Sequence, residues 1–281
     1  MVEQNYLSDF ISRAIAEDIG NGDHSSNCCI PAEATGKMHL LVKENGVLAG
    51  MTVAQAVFEQ LDKSIKFTPL LKDGDHIKKG DLAFKLYGPE RILLRGERLA
   101  LNLMQRMSGI ASKTAYLVSL IEGTSTRLLD TRKTTPNLRP LEKWAVKLGG
   151  GYNHRMGLYD MIMLKDNHID FAGGIQPAIE KARAYLKQND LSIPIEVETR
   201  DFDEIKAVMD CGGIQRIMFD NFSPADTLKA VELVNGEFET ESSGGITENS
   251  IRAYAETGVD FISVGALTHS VSGLDMSLKA F

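Results

Sequence analysis

The sequence predicts an α/β protein: a smaller mixed region, then a parallel β/α barrel that is incomplete. Three observations point there. From Arg127 onward, six short apolar runs alternate with helical patterns. Each run ends in polar, ionisable or glycine-rich residues. Residues 1–110 mix helix and strand signals without that alternation. A chain of 281 residues is long enough for one large or two ordinary domains. We divide it into 1–110 and 111–281.

The first region reads element by element. Asn5–Ile19 places Leu7, Phe10, Ile11, Ala14, Ile15 and Ile19 at helical spacing, and Gly20, Gly22 and Asp23 stop it. Lys37–Val42 and Ile65–Leu70 read as strands, with a helix over Met51–Leu61 between them. Residues 73–81, DGDHIKKGD, carry two Gly-Asp turns around a short strand of a small sheet. Residues 90–121 form the longest helical stretch, striped by Leu99, Leu103, Met107 and Ile110. Arg95, Arg98 and Arg106 lie in that stretch, where a solvated helix face is their plainest reading. Gly109 is placed to bend or split the helix.

The alternating region starts with Arg127–Leu129. Met161–Leu164, Ile193–Val197, Arg216–Phe219, Phe238–Thr240 and Phe261–Val264 follow. The helical patterns between them are Leu138–Leu148, Gln176–Leu186, Phe202–Met209, Pro224–Val234 and Asn249–Glu256. Ser223 and Pro224 are an N-cap and first-turn pair. Such alternation argues for a parallel sheet. The run ends are Asp130-Thr131-Arg132-Lys133, Lys165-Asp166-Asn167-His168, Glu198-Thr199-Arg200, Asp220-Asn221, Glu241-Ser242-Ser243-Gly244-Gly245 and Gly265-Ala266. In a β/α barrel these ends converge on one face, which carries the active site. An open doubly wound sheet remains the alternative architecture, and six strands fall short of the eight of a closed barrel.

Composition narrows the function. With 31 Lys+Arg against 38 Asp+Glu the net charge is −7, unsuited to sequence-independent DNA binding. No run approaches the roughly 18 apolar residues of a spanning helix. The N-terminus lacks the basic and apolar segments of a secretory signal. Cys28, Cys29 and Cys211 fit neither a disulfide framework nor a zinc site, so a reducing, cytoplasmic setting is expected. Within this acidic chain, Arg132, Lys133, His154, Arg155 and Lys165 would meet at the barrel mouth beside Glu198 and Asp220. A local cationic pocket points to a small, strongly anionic substrate. Arginine suits carboxylates, lysine suits phosphate, and two carboxylates beside phosphates suit Mg²⁺ or ribose hydroxyls. Ser243-Gly244-Gly245 and Gly265 at the last two strand ends read as a phosphate cradle. A bland reading stands beside each: a solvated helix start for Arg132 and Lys133, a surface pair with Asp166 for Lys165, a structural ring for His154, and a partner for Arg200 in Glu198.

The segments ALNLMQRMSGIAS (100–112), DTRKTTPNLRPLEKWAVKLGGGYNHRMGLYDMIMLKDNH (130–168), EVE (196–198), FDNFSP (219–224), ESSGGI (241–246) and YAETGVDFISVGALTHS (254–270) closely resemble the quinolinate phosphoribosyltransferases. The likeness is dense over residues 92–271 and weaker before residue 90, where Asp23-His24-Ser25-Ser26 departs from the family's usual turn. The resemblance implies an N-terminal α/β sandwich, an incomplete α/β barrel, and a homodimer (or a hexamer built from dimers) with shared active sites. It implies that Arg98 reaches the partner's quinolinate site. Arg132, His154, Arg155 and Lys165 would bind quinolinate. Lys133, Glu198, Asp220, Ser243, Gly244 and Gly265 would serve phosphoribosyl pyrophosphate and its Mg²⁺, with Lys133, Glu198 and Asp220 closest to the chemistry. No organic cofactor is implied. A relative with a different acceptor, a Schiff-base lyase using Lys165 and a non-catalytic binding protein are the competing readings.

Overall fold

The structure is a computed structural model and describes residues 3–281. The chain separates into two compact units. The first runs to Ala115 and takes in Thr134–Gly150 and Leu267–Phe281. The second comprises Tyr116–Lys133 and Gly151–Ala266.

The elements of the first unit begin with α1 (Gln4–Ile19), α2 (His24–Cys29), β1 (Thr35–Val42), β2 (Gly46–Val47) and α3 (Met51–Leu61). They continue with β3 (Lys66–Pro69), β4 (His76–Ile77), β5 (Leu82–Pro89) and α4 (Glu90–Leu120), whose last turn passes into the second unit. A four-stranded antiparallel sheet carries the unit, and its outer strand comes from the far C-terminus, Met276–Ala280. Phe58 of α3 meets Phe84 of β5 edge-on at 6.5 Å, and Phe67 of β3 tilts against Phe84 at 4.5 Å. This aromatic cluster closes the core between sheet and helix. Sheet and helices together are the α/β sandwich that the resemblance implies.

The residue-110 division lies inside α4, which is one continuous helix. Gly109 does not split it. A Cβ there would sit 2.2 Å from the Ser272 carbonyl oxygen, so the glycine lets the C-terminal segment pass close to the helix. Nor does Arg106 lie on a solvated face. It bonds Glu142 at 2.9 Å and also reaches the Thr268 carbonyl. Glu142 is fully buried and accepts from the Thr135 N–H and hydroxyl as well. These bonds join α5 (Arg139–Leu148) and the C-terminal segment to α4.

The second unit is the alternating one. Its strands are β6 (Arg127–Leu129), β7 (Ile162–Leu164), β8 (Ile195–Thr199), β9 (Arg216–Asp220), β10 (Glu239–Ser243) and β11 (Phe261–Ser263). The intervening helices are α6 (Asp166–Ala172), α7 (Ile175–Gln188), α8 (Phe202–Cys211), α9 (Pro224–Val234) and α10 (Ile251–Ala255). After β11 come α11 (Ala266–His269) and β12 (Met276–Ala280), the outer strand of the first sheet. The parallel sheet has the order β6-β11-β10-β9-β8-β7. Tyr152 bridges Leu129 beyond β6, and no strand joins that edge to β7 among the described residues. The barrel is therefore incomplete, as expected. Ser223 caps α9 by accepting from the Asp226 N–H, with Pro224 in the first turn, as the sequence implies.

Paired residues on neighbouring strands share a face. The registers Met163–Glu196–Arg216–Glu239 and Glu198–Met218–Glu241–Phe261 therefore run around the inside. Ile195, Val197, Ile217, Phe219 and Ile262 alternate with them and meet the helices. Closed β/α barrels are usually filled with branched apolar residues. This interior is instead filled largely by charge.

Candidate active site

The strand ends assemble in layers. Lys165 follows β7 by one residue and lies level with Glu198 of β8. Its Nζ is 3.0 Å from Glu198 Oε2. Glu198 is buried while Lys165 is largely exposed, so the pair sits at the rim. This replaces the surface pair with Asp166. Arg200, just beyond the end of β8, bonds Glu204 at 2.6 Å and Asp170 at 3.2 Å, not Glu198. His168 has turned away from the strand end, where it caps α6 by accepting the Lys165 N–H at Nδ1, 3.0 Å.

Asp220 ends the neighbouring strand. Burial pushes its carboxyl above the usual range, the Glu198 charge pushes it further, and Lys165 partly offsets both. The Glu198 and Asp220 charges thus oppose one another, with Lys165 bonded to Glu198. A divalent cation would relieve that excess negative charge, so these donors suit Mg²⁺.

The adjacent turn is built around Gly244. Its φ is +95°, and a Cβ would lie 2.2 Å from Asn221 Oδ1 and 2.8 Å from Asn221 N. Asn221 itself takes a φ of +59° and donates its N–H to the Ser243 carbonyl at 2.8 Å. Ser243, Gly244 and Gly265 are each half-buried at the ends of β10 and β11. Backbone exposed in this way suits a phosphate.

The cationic side comes from β6 and the bridge segment. Arg132 and Lys133 are exposed, and the Lys133 N–H donates to Thr131 Oγ1 at 3.0 Å. Arg155 is buried, and its guanidinium donates to the Met161 carbonyl at 3.1 Å and contacts Met163 Sδ at 3.7 Å. Both of these partners are uncharged. Burial, then the like charge of Arg132, hold the Arg155 pKa below its ordinary value, against the opposing pull of Glu196 and Asp160. A buried guanidinium beside a second arginine is a receptor for a compact anion.

His154 is the residue whose setting differs most from the expected one. It is 7% exposed. Nδ1 accepts the Arg155 N–H at 2.6 Å. Nε2 lies 2.9 Å from Glu196 Oε2 and 3.5 Å from Glu241 Oε2. The ring thus faces the barrel core, and both nitrogens have protein neighbours. Glu196 and Glu241 are fully buried and were not singled out from the sequence. Burial raises the pKa of both; Arg216 counters this for Glu196, while the charge of Glu196 pushes Glu241 still higher against the opposing pull of His154 and Arg216. The overlooked signal is the two-residue alternation in Glu196-Val197-Glu198 and Glu241-Ser242-Ser243, which puts the first acid of each on the same face as the site residue two positions on.

Arg98 is exposed on α4, in the first unit. An apolar hollow of about 370 Å³ lies beside edge strand β7, lined by Ile162, Leu164, Ala178 and Ala182. Its lining does not suit a polyanion.

Comparison with known proteins agrees with the motifs. The family described as "Quinolinate phosphoribosyl transferase, C-terminal domain" matches residues 110–279, and its N-terminal domain matches residues 23–108. The chain is 43% identical over 288 residues to "Quinolinate phosphoribosyltransferase [decarboxylating] 2b, mitochondrial" of Nicotiana tabacum, covering 97% of this chain and 82% of that one. It is 42% identical to the "Probable nicotinate-nucleotide pyrophosphorylase [carboxylating]" of Bacillus subtilis, covering 97% and 92%. The crystal structure of NadC from Streptococcus pyogenes is similar throughout, with a TM-score of 0.94, 40% identity and coverage of 100% and 99%. This chain belongs to the quinolinate phosphoribosyltransferase family.

Proposed function

We propose that the strand ends of the second unit bind quinolinate and phosphoribosyl pyrophosphate and join them, giving nicotinate mononucleotide, pyrophosphate and CO₂. The reaction, a step of de novo NAD biosynthesis, is supported by full-length similarity to relatives named for it. The observation that carries the site is the rim pair Lys165–Glu198 beside Asp220, bordered by the Gly244 turn and by buried Arg155.

Quinolinate carries two carboxylates and a ring nitrogen. Arg155 and Arg132 hold the carboxylates, Lys165 adds a third cation, and His154 shapes the wall behind Arg155. The ring lone pair attacks C1 of the ribose as the C1–O bond to pyrophosphate breaks. The nucleophile is a lone pair, so no base need create it. Positive charge develops at C1, where Glu198 and Asp220 stabilise it directly or through the ribose hydroxyls. Lys133 offsets charge on the departing pyrophosphate, and backbone at Ser243, Gly244 and Gly265 holds the 5′-phosphate. Mg²⁺ held by Glu198, Asp220 and the pyrophosphate would supply further neutralisation. As the carboxylate next to nitrogen leaves as CO₂, the electron pair of the broken C–C bond stays on that ring carbon, stabilised by the adjacent pyridinium nitrogen, and a proton from water fills the position. Holding both anions in line supplies much of the acceleration through proximity. No organic cofactor takes part.

We further propose a homodimer, alone or within a hexamer, in which Arg98 completes the partner's quinolinate site. Exposure of this arginine on a rigid helix supports that reading. The cytoplasm is the compartment we propose. Its support is that Cys28, Cys29 and Cys211 are free thiols. No described helix is long and apolar enough to cross a membrane.

The test is an assay for CO₂ and pyrophosphate with quinolinate, phosphoribosyl pyrophosphate and Mg²⁺, with nicotinate as the competing base. Equal release of both products with quinolinate, and neither with nicotinate, is expected. Pyrophosphate release with nicotinate would reassign the acceptor, and no turnover with either would refute the reading.

A further inference from the structure

We infer that Glu241, together with Glu196, is a positioning residue for the acceptor half of the site, acting through His154 on Arg155. The inference rests on the proposed role of Arg155 in holding quinolinate.

Contacts run in one line from the barrel floor to the mouth. Glu239 bonds Arg216 at 3.0 Å, and Arg216 Nη1 bonds Glu241 at 2.9 Å. Glu241 and Glu196 flank His154 Nε2 at 3.5 and 2.9 Å. His154 Nδ1 then accepts the backbone N–H of Arg155 at 2.6 Å. An accepting Nδ1 carries no proton, so the neutral ring holds its hydrogen on Nε2, facing the two acids. The ring orientation is thereby set by the hydrogen bond at Nδ1 and by the electrostatic contact of Nε2 with the two acids. It fixes the peptide from which the buried guanidinium departs.

The same three ligand-bearing side chains could in principle surround a cation, since their ligand atoms lie within 4.8 Å of one another. Arg216 argues against one. Its guanidinium already bonds Glu241 and stacks on the Phe261 ring with 4.0 Å to the centroid, so one of the three would-be ligands is already matched to a protein cation. The geometry serves orientation.

A guanidinium displaced by as little as 1 Å loses bidentate contact with a carboxylate, whereas the phosphate turn at Gly244 does not touch this line. The two Michaelis constants therefore separate the role from general instability. In Glu241→Ala, KM for quinolinate should rise on the order of tenfold, matching loss of one well-placed ionic contact. KM for phosphoribosyl pyrophosphate should stay within about twofold. Glu241→Gln keeps the volume and an oxygen facing Nε2, and should recover most of the quinolinate affinity. If Glu241→Ala does not fold, Glu196→Ala is measured in the same way and should show the same selective rise. Equal rises in both constants, or no change in either, would overturn the inference. The wild-type assay separates the two proposals: without quinolinate turnover the function falls, and with it an unselective Glu241→Ala overturns only the positioning role.

Discussion

Glu241→Gln should change how stability depends on pH, and the direction follows from burial. Glu196 and Glu241 both have raised carboxyl pKa values in the folded protein, chiefly because burial disfavours their charge. In the unfolded chain they return to about 4.3. Between that value and their raised ones the folded state holds protons the unfolded state has released. Stability from this source is fully present at low pH and is lost as pH rises toward neutrality. Burial, with the neighbouring charge of Glu196 adding to it and His154 and Arg216 opposing it, raises Glu241 to about 8. One excess proton gives a slope of about 1.4 kcal/mol per pH unit. The glutamine variant cannot take up that proton at position 241. From pH 5.5 to 7, wild type should therefore lose about 2 kcal/mol relative to Glu241→Gln. Urea denaturation at fixed protein concentration and several pH values measures this. Parallel stability curves for the two proteins would show that Glu241 is ionised in the fold, and the effect of burial argued for it would be wrong.

Three other perturbations probe the remaining parts. Arg132→Ala should weaken quinolinate binding sharply and leave phosphoribosyl pyrophosphate binding much less affected, as direct binding measurements would read; equal losses would mean the two halves of the pocket are misassigned. Gly244→Ala forces a side chain into a positive-φ position against Asn221, at a cost of about 1–3 kcal/mol from backbone strain alone; a lowered melting temperature with a raised KM for phosphoribosyl pyrophosphate is expected, and an unchanged KM would remove the turn from the site. Mixed Arg98→Ala and Lys133→Ala subunits should regain activity from dimers with one intact site, and no recovery despite demonstrated subunit exchange would count against shared sites.

Much of this architecture is legible in the sequence because its signals are local. Each apolar run from Arg127 to Val264 coincides with a strand to within a few residues, and α3 and α9 begin and end where periodicity and capping place them. The misses need information from distant residues. Met276–Ala280 is a strand because β1 offers it an edge more than 230 residues earlier in the chain. Leu82–Pro89, just after the Gly-Asp turns, is an inner strand because β1 and β3 pair on either side of it. Arg106 looks like surface until Glu142 arrives from another segment.

The site divides in the same way. Lys165, Glu198, Asp220 and the Gly244 turn stand at strand ends, so alternation alone brings them to one face. The layer beneath was hidden by chemistry and not by geometry. Acids inside a barrel are expensive to bury, so Glu196 and Glu241 would be expected at the surface unless partners compensate them. Arg216 and His154 are those partners, and they come from a third strand and the bridge segment. An apolar filling would pack such a core more cheaply. It would not hold an imidazole in one orientation beneath a buried arginine. On the proposed reading that requirement accounts for Glu196 and Glu198 standing two residues apart on one strand: the outer acid would face the substrate, and the inner one would fix the wall against which the substrate is held.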